Sequence, residues 1–217
     1  MELKGIVAIN KPKGPTSHDI IDQVRRLTGE KRVGHAGTLD PLASGVLVVA
    51  IGREYTKQID SLMKTEKEYV ALIKFGETST TDDAEGEKRI FNNVGTDRDL
   101  SPYSDKSSVK NVLLKFIGEI MQTPPVYSAI KMKGKKAYEL ARAGKTVEMK
   151  PRPVWIKSIE LLKCEWPFLE LRVTCGPGVY IRSLARDIGE KLGVGGYMAE
   201  LERTRVGDYK IEDAIRL

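Results

Sequence analysis

The sequence predicts an α+β fold, and three observations carry that expectation. Short runs rich in branched apolar residues read as strands, other runs place apolar residues at helical spacing, and the two kinds follow each other in no regular β-α order. The chain has 217 residues, 41% of them apolar, which suffices to bury a sizeable core as one large domain or two small ones.

The elements follow in order. "GIVAIN" reads as a strand that breaks at Pro12, Gly14 and Pro15. A helix restarts at an N-cap-like Thr16 or Ser17 and carries Ile20, Ile21, Val24 and Leu27 on one face, with His18 at its start. Arg25, Arg26, Lys31 and Arg32 gather toward its end. The loop "GHAGTLDP" then feeds "VLVVAIG", a strand whose unbroken apolar run implies that both faces are covered. "KEYVALIKFG" (67 to 76) alternates as a half-buried strand, and "ETSTTDDAEGE" after it reads as a polar turn. Residues 92 to 108 read as a surface loop and "VKNVLLKFIGEI" as an amphipathic helix. "WIKSIELLKCEWPFLELRVTC" gives two strands, and "GPGVYIRSLARDIGEKLG" a tight turn into a helix with Arg182 and Arg186. "GGYMAELERTRVGDYKIEDAIRL" closes with strand-like and short helical pieces.

Charge is unevenly distributed. The 36 Lys and Arg outnumber the 30 Asp and Glu, a net of +6 with a pI near 9.2. Residues 131 to 152 hold eight basic side chains and two acids, Glu139 and Glu148, so this one segment accounts for the whole excess. The stretch 124 to 154 is bracketed by prolines and reads as an excursion from the main body. Its lysines, among them Lys131, Lys133, Lys135 and Lys136, beside Tyr127 and Tyr138, suit a lobe that grips a phosphate backbone and stacks on bases. A plain solvated face is the milder reading.

Other classes lose support. Two cysteines, Cys164 and Cys175, do not make a disulfide scaffold. The longest apolar run, "VLVVAI", is far short of the roughly 20 residues that span a bilayer, so a cytoplasmic protein with no membrane partner is expected. His18 and His35 are the only histidines, and no G-x-G-x-x-G or Walker loop occurs; a metal-free, cofactor-free chemistry is expected.

Asp40 raises the sharpest question, because Asp before Pro in a glycine-rich stretch is commonly a turn former. Its loop, however, exits into a buried strand, and a carboxylate at that depth must find a cation, a donor or a chemical task. Arg182 on its glycine-bounded turn is a candidate cation, although an isolated arginine at a helix start is more commonly a surface residue. Tyr69 and Tyr180 read by default as packing residues, and His35 as a turn histidine.

Five stretches in this order resemble the TruB family of tRNA pseudouridine synthases: "KPKGPTS" (11 to 17), "GHAGTLDPLASGVL" (34 to 47), "KEYVALIKFGETSTTDDAEG" (67 to 86), "PPVYSAIK" (124 to 131) and "GVYIRSLARDIGEKLG" (178 to 193). The resemblance implies the pseudouridine synthase fold, a long mixed but largely antiparallel sheet flanked by helices, with 124 to 154 as an RNA-binding thumb on a single catalytic domain. It implies that Asp40 is the catalytic carboxylate, that Tyr69 stacks on the target base, that Arg182 pairs with the Asp, and that Tyr180 is the aromatic beside it. His35, Lys11, Lys131 and Leu201 fall on other positions lining the family site.

The implied reaction turns a uridine of the tRNA T-loop, at position 55, into pseudouridine. The bond from N1 to C1′ breaks, the base rotates, and C5 bonds to C1′. The chain ends at Leu217 without the PUA domain that bacterial members usually carry, so weaker tRNA affinity with intact chemistry is expected. A monomer without an obligate protein partner is the default. A guide-RNA-dependent synthase of the Cbf5 branch, a non-catalytic tRNA-binding or folding factor, and a small-substrate acid-base hydrolase are the competing readings.

Overall fold

The computed structural model describes residues 3–91, 106–132 and 134–217. The chain divides into two compact units: Met1–Ala71 with Arg172–Pro177 and Glu200–Leu217, and Leu72–Leu171 with Gly178–Ala199.

The first unit contains β1 (Gly5–Lys11), α1 (Ser17–Thr28), β2 (Val33–His35), β3 (Ser44–Ile51) and the short helices α2 (Arg53–Thr56) and α3 (Ile59–Met63). It also takes the start of β4 (Lys67–Phe75), the end of β11 (Phe168–Cys175), most of β12 (Gly196–Val206), β13 (Tyr209–Lys210) and a 3-10 turn at Ile211–Asp213. The strand order is β1-β3-β12-β4-β11, with β2 on β3 and β13 on β12. β3 runs antiparallel to β1 and β2 and parallel to β12. The apolar run of β3 is buried from Gly45 to Ile51, as its unbroken pattern requires. Val46 and Val48 pack with Ala8, Ala36 and Val206, and Ile59, Leu62, Tyr209 and Ile211 cover this cluster; each fully buried side chain of this size contributes about 1.5–3 kcal/mol.

Thr16 is the N-cap of α1. Its hydroxyl accepts from the Asp19 N–H at 3.1 Å while the Asp19 carboxylate accepts from the Thr16 N–H at 2.8 Å, a reciprocal capping box. Gly29 ends the helix in the left-handed region at φ 70°.

The second unit holds the rest of β4, the hairpin β5 (Glu77–Ser79) and β6 (Lys88–Ile90), α4 (Lys106–Leu114), β7 (Gly118–Gln122), β8 (Lys131–Met132), β9 (Lys135–Lys136), α5 (Ala137–Arg142), β10 (Arg152–Glu165), the start of β11, α6 (Ile181–Leu192) and the start of β12. Its strand order is β4-β11-β10-β7, and β10 and β7 are antiparallel, with Ile156 opposite Gly118. The period-two pattern of β4 is realised in full: Lys67, Tyr69, Ala71, Ile73 and Phe75 alternate inward with less buried neighbours.

Three local expectations are corrected. The helix expected through "VKNVLLKFIGEI" begins earlier, at Lys106, and stops at Leu114. Gly118 at φ 99° then breaks the path, and "GEIMQ" pairs with β10; the apolar spacing fitted either period, and pairing decided. Residues 106 to 108 are therefore helix, whereas 92 to 105 lie outside the described residues. The polar stretch after β4 is a hairpin whose turn buries Asp83 to 2% exposure, because a cation awaits it there.

Candidate active site

Lys11 ends β1 and enters a loop of prolines and glycine. Its side chain is fully buried, and its ammonium donates to the carbonyls of Pro12 and Pro15, both at 2.8 Å, and of Pro41 at 3.4 Å. The Gly14 N–H also donates to the Pro41 carbonyl, at 2.8 Å. Ser17, at the start of α1, donates its hydroxyl to the Leu39 carbonyl at 2.9 Å and accepts the Leu39 N–H at 2.8 Å. "KPKGPTS" therefore folds around "TLDP", and these contacts fix the backbone on both sides of Asp40. Asp40 itself begins a turn closed by the Ala43 N–H on its carbonyl at 3.0 Å. The turn-former reading is thus correct for its backbone, and the side chain is a separate matter.

The Asp40 carboxylate is half-buried, and its charge is felt by Lys11 and by Tyr69. Burial pushes the Lys11 ammonium down to about 8; Asp40 opposes that shift, and Arg203 adds to it. Tyr69 is 8% exposed, and burial holds its hydroxyl above the usual tyrosine value against the pull of the Arg203 charge. Lys67, on the same face of β4, donates to the carbonyls of Met63 at 2.9 Å and Thr65 at 2.8 Å. Burial and Arg203 lower its pKa. Burial also pushes the Cys175 thiol up to about 12, which leaves it inert at neutral pH. His35, on β2, is held below its ordinary value by burial and by Arg203, so it is neutral at physiological pH, and its Nδ1 is buried without a hydrogen-bond partner. Leu201 is buried on β12, two residues from Arg203.

The first unit thus brings together Asp40, Lys11 and Tyr69, with His35 and Leu201 on neighbouring elements. Arg182, Tyr180 and the basic lobe belong to the second unit. Arg182 is 6% exposed, which overturns its reading as a surface residue. It donates to the Asp83 carboxylate at 3.1 Å and to the Tyr127 carbonyl at 3.0 Å. Gln122, 1% exposed, accepts the Tyr180 N–H at 2.9 Å and donates to the Tyr180 carbonyl at 3.1 Å, so the residue before α6 is fixed through its backbone. The Tyr180 ring faces the Arg152 guanidinium at 5.3 Å. Arg186 is gripped by Asp82 at 2.7 Å and Asp187 at 2.8 Å and donates to the Thr123 carbonyl at 3.0 Å. Lys131, Lys135 and Lys136 are exposed on the β8/β9 hairpin, and Lys133 lies outside the described residues.

Sequence reasoning missed Arg203, Asp83, Lys67 and Ser17. For Asp83 the signal was weak, since it sits in a run of polar residues. For Arg203 it was present: the inward register of β12 alternates Leu201, Arg203, and an arginine there must be buried. Among the described residues no group of three or more His, Cys, Asp or Glu side chains could hold a metal, and no helix is long and apolar enough to cross a membrane.

The family described as TruB family pseudouridylate synthase (N terminal domain) matches residues 25–181, and that described as tRNA pseudouridylate synthase B C-terminal domain matches residues 182–217. The chain belongs to the TruB family. The tRNA pseudouridine synthase B of Thermobifida fusca is 46% identical over 98% of this chain and 73% of its own length; that of Burkholderia mallei is 45% identical over 99% of this chain and 68% of its own. The crystal structure of a Cbf5-Nop10-Gar1 complex aligns with a TM-score of 0.73 at 33% identity, covering 98% of this chain and 52% of that one. The fold is therefore that of pseudouridine synthases, a mixed, mostly antiparallel sheet flanked by helices, and this TruB chain spans about half the length of its Cbf5 neighbour.

Proposed function

We propose that the chain isomerises uridine to pseudouridine in the T-loop of tRNA, at position 55, with Asp40 as the catalytic carboxylate. The observation that carries this reading is the setting of Asp40. Its backbone is fixed on both sides by Ser17, Gly14 and Lys11, while a buried ammonium and a buried tyrosine share its electrostatic surroundings.

An isomerisation requires no redox partner, metal or phosphoryl donor. It requires a carboxylate at the sugar or ring and a place to hold the base while the N1 to C1′ bond is broken. A cation beside Asp40 favours its charged form, ready as nucleophile or base. Extracting the uridine from its stack costs a few kcal/mol, which stacking on Tyr69 and phosphate contacts to the lysines of 131 to 136 offset. The thumb, residues 124 to 154, supplies those lysines, and the family resemblance assigns Arg182, Tyr180, His35 and Leu201 to the substrate as well.

The stand-alone reaction is favoured over a guide-RNA-dependent one because identity to the tRNA pseudouridine synthase B relatives reaches 45–46%, against 33% for the Cbf5 neighbour. The test is nucleoside chromatography of digested RNA after incubation with a T stem-loop and, separately, an anticodon stem-loop. Pseudouridine is expected at one position of the first alone. Conversion of neither, with the T stem-loop bound, would sink the reading and leave a binding factor.

A further inference from the structure

Arg203 is the largest fully buried side chain among the described residues, at 1% exposure, and its contacts converge on the Asp40 loop. Its Nε donates to the Val46 carbonyl at 2.7 Å and its Nη2 to the Gly37 carbonyl at 3.0 Å, so one guanidinium ties the strand leaving the loop to the turn entering it. The charge of the same group acts on Tyr69. The strand register explains the convergence. Gly45 lies opposite Lys11 on one neighbouring strand and opposite Arg203 on the other, so the two cations flank a residue with no side chain. A Cβ at Gly45 would meet the Arg203 carbonyl oxygen at 2.2 Å, and this position at φ 104° admits only glycine.

A scaffold that merely closed a loop would use neutral groups, since burying a charge in the company of Lys11 and Lys67 is costly unless the charge is needed. We propose that Arg203 is a positioning residue for the isomerisation: it clamps the entry of the catalytic loop at Gly37 to its exit at Val46, fixing the Asp40 carboxylate where the chemistry needs it. This rests on the assignment of Asp40 made above.

The test compares Arg203→Met and Arg203→Lys with wild type on a T stem-loop, with circular dichroism as a check of folding. A displacement of about 1 Å at the reacting centre costs about a hundredfold in rate, so Arg203→Met is expected to lose about that much in kcat with KM for RNA nearly unchanged. Arg203→Lys, which keeps a charged donor, is expected to recover a large part of the loss. A folded Arg203→Met with wild-type kcat, or a loss appearing only in KM, would each overturn the proposal. If Arg203→Met does not fold, Arg203→Lys decides: a loss confined to KM overturns it. An inactive wild type would instead indict the functional assignment, before any variant is considered.

Discussion

At the residue scale, the titration of Lys11 is the most direct handle on Asp40. The folded pKa is lowered to about 8 from an ordinary value of 10.5, so Lys11 is charged below about pH 8 and neutral above it. kcat is expected to fall on the alkaline side of about pH 8, as the positive charge of Lys11 near Asp40 is lost, and Lys11→Met is expected to be slow at all pH values and to lack that limb; pH profiles of single-turnover rate on both proteins would check this. The sign for stability is opposite. Between about pH 8 and 10.5 the unfolded chain binds the extra proton, so this group's contribution to stability rises with pH there. A second expectation concerns Asp83, whose carboxylate is the ion-pair partner of the buried Arg182. Asp83→Ala would remove this charge-assisted hydrogen bond from the buried guanidinium and is expected to cost about 1.5–3 kcal/mol, read from urea denaturation midpoints at unchanged slope.

At the scale of elements, the strands whose periodicity was unambiguous were legible. β3 with its unbroken apolar run and β4 with its strict alternation emerged with the burial those patterns require. Where the spacing satisfied two periods, as around Ile117 and Ile120, only pairing with β10 could decide. The site was partly legible. Asp40, Tyr69 and Arg182 were singled out by motif resemblance, but Arg203 looks like Arg205 in the sequence, and the register on β3 alone separates a buried side chain from a half-exposed partner of Glu66. That register predicts the cost of filling the gap beside it. Gly45→Ala places a Cβ against backbone at a left-handed φ, and a loss on the order of 2–4 kcal/mol is expected, visible as a lowered thermal midpoint.

For the whole molecule, the charge surplus and the proposed catalytic carboxylate lie in different segments. The surplus of six positive charges between residues 131 and 152 equals the net charge of the chain, while Asp40 lies in the glycine-rich loop of the first unit. Replacing Lys135 and Lys136 with Ala is therefore expected to weaken tRNA binding and to reduce the salt slope of log K by about 0.7–0.9 per lysine, with the rate at saturating RNA unchanged. The central claim is that Asp40 performs the chemistry. Tritium release from tRNA labelled at uridine C5, measured for wild type and Asp40→Asn side by side, tests it most directly. Release by wild type, with a loss of about a thousandfold or more in the variant and tRNA binding retained, is the predicted result. Comparable release by Asp40→Asn would contradict it.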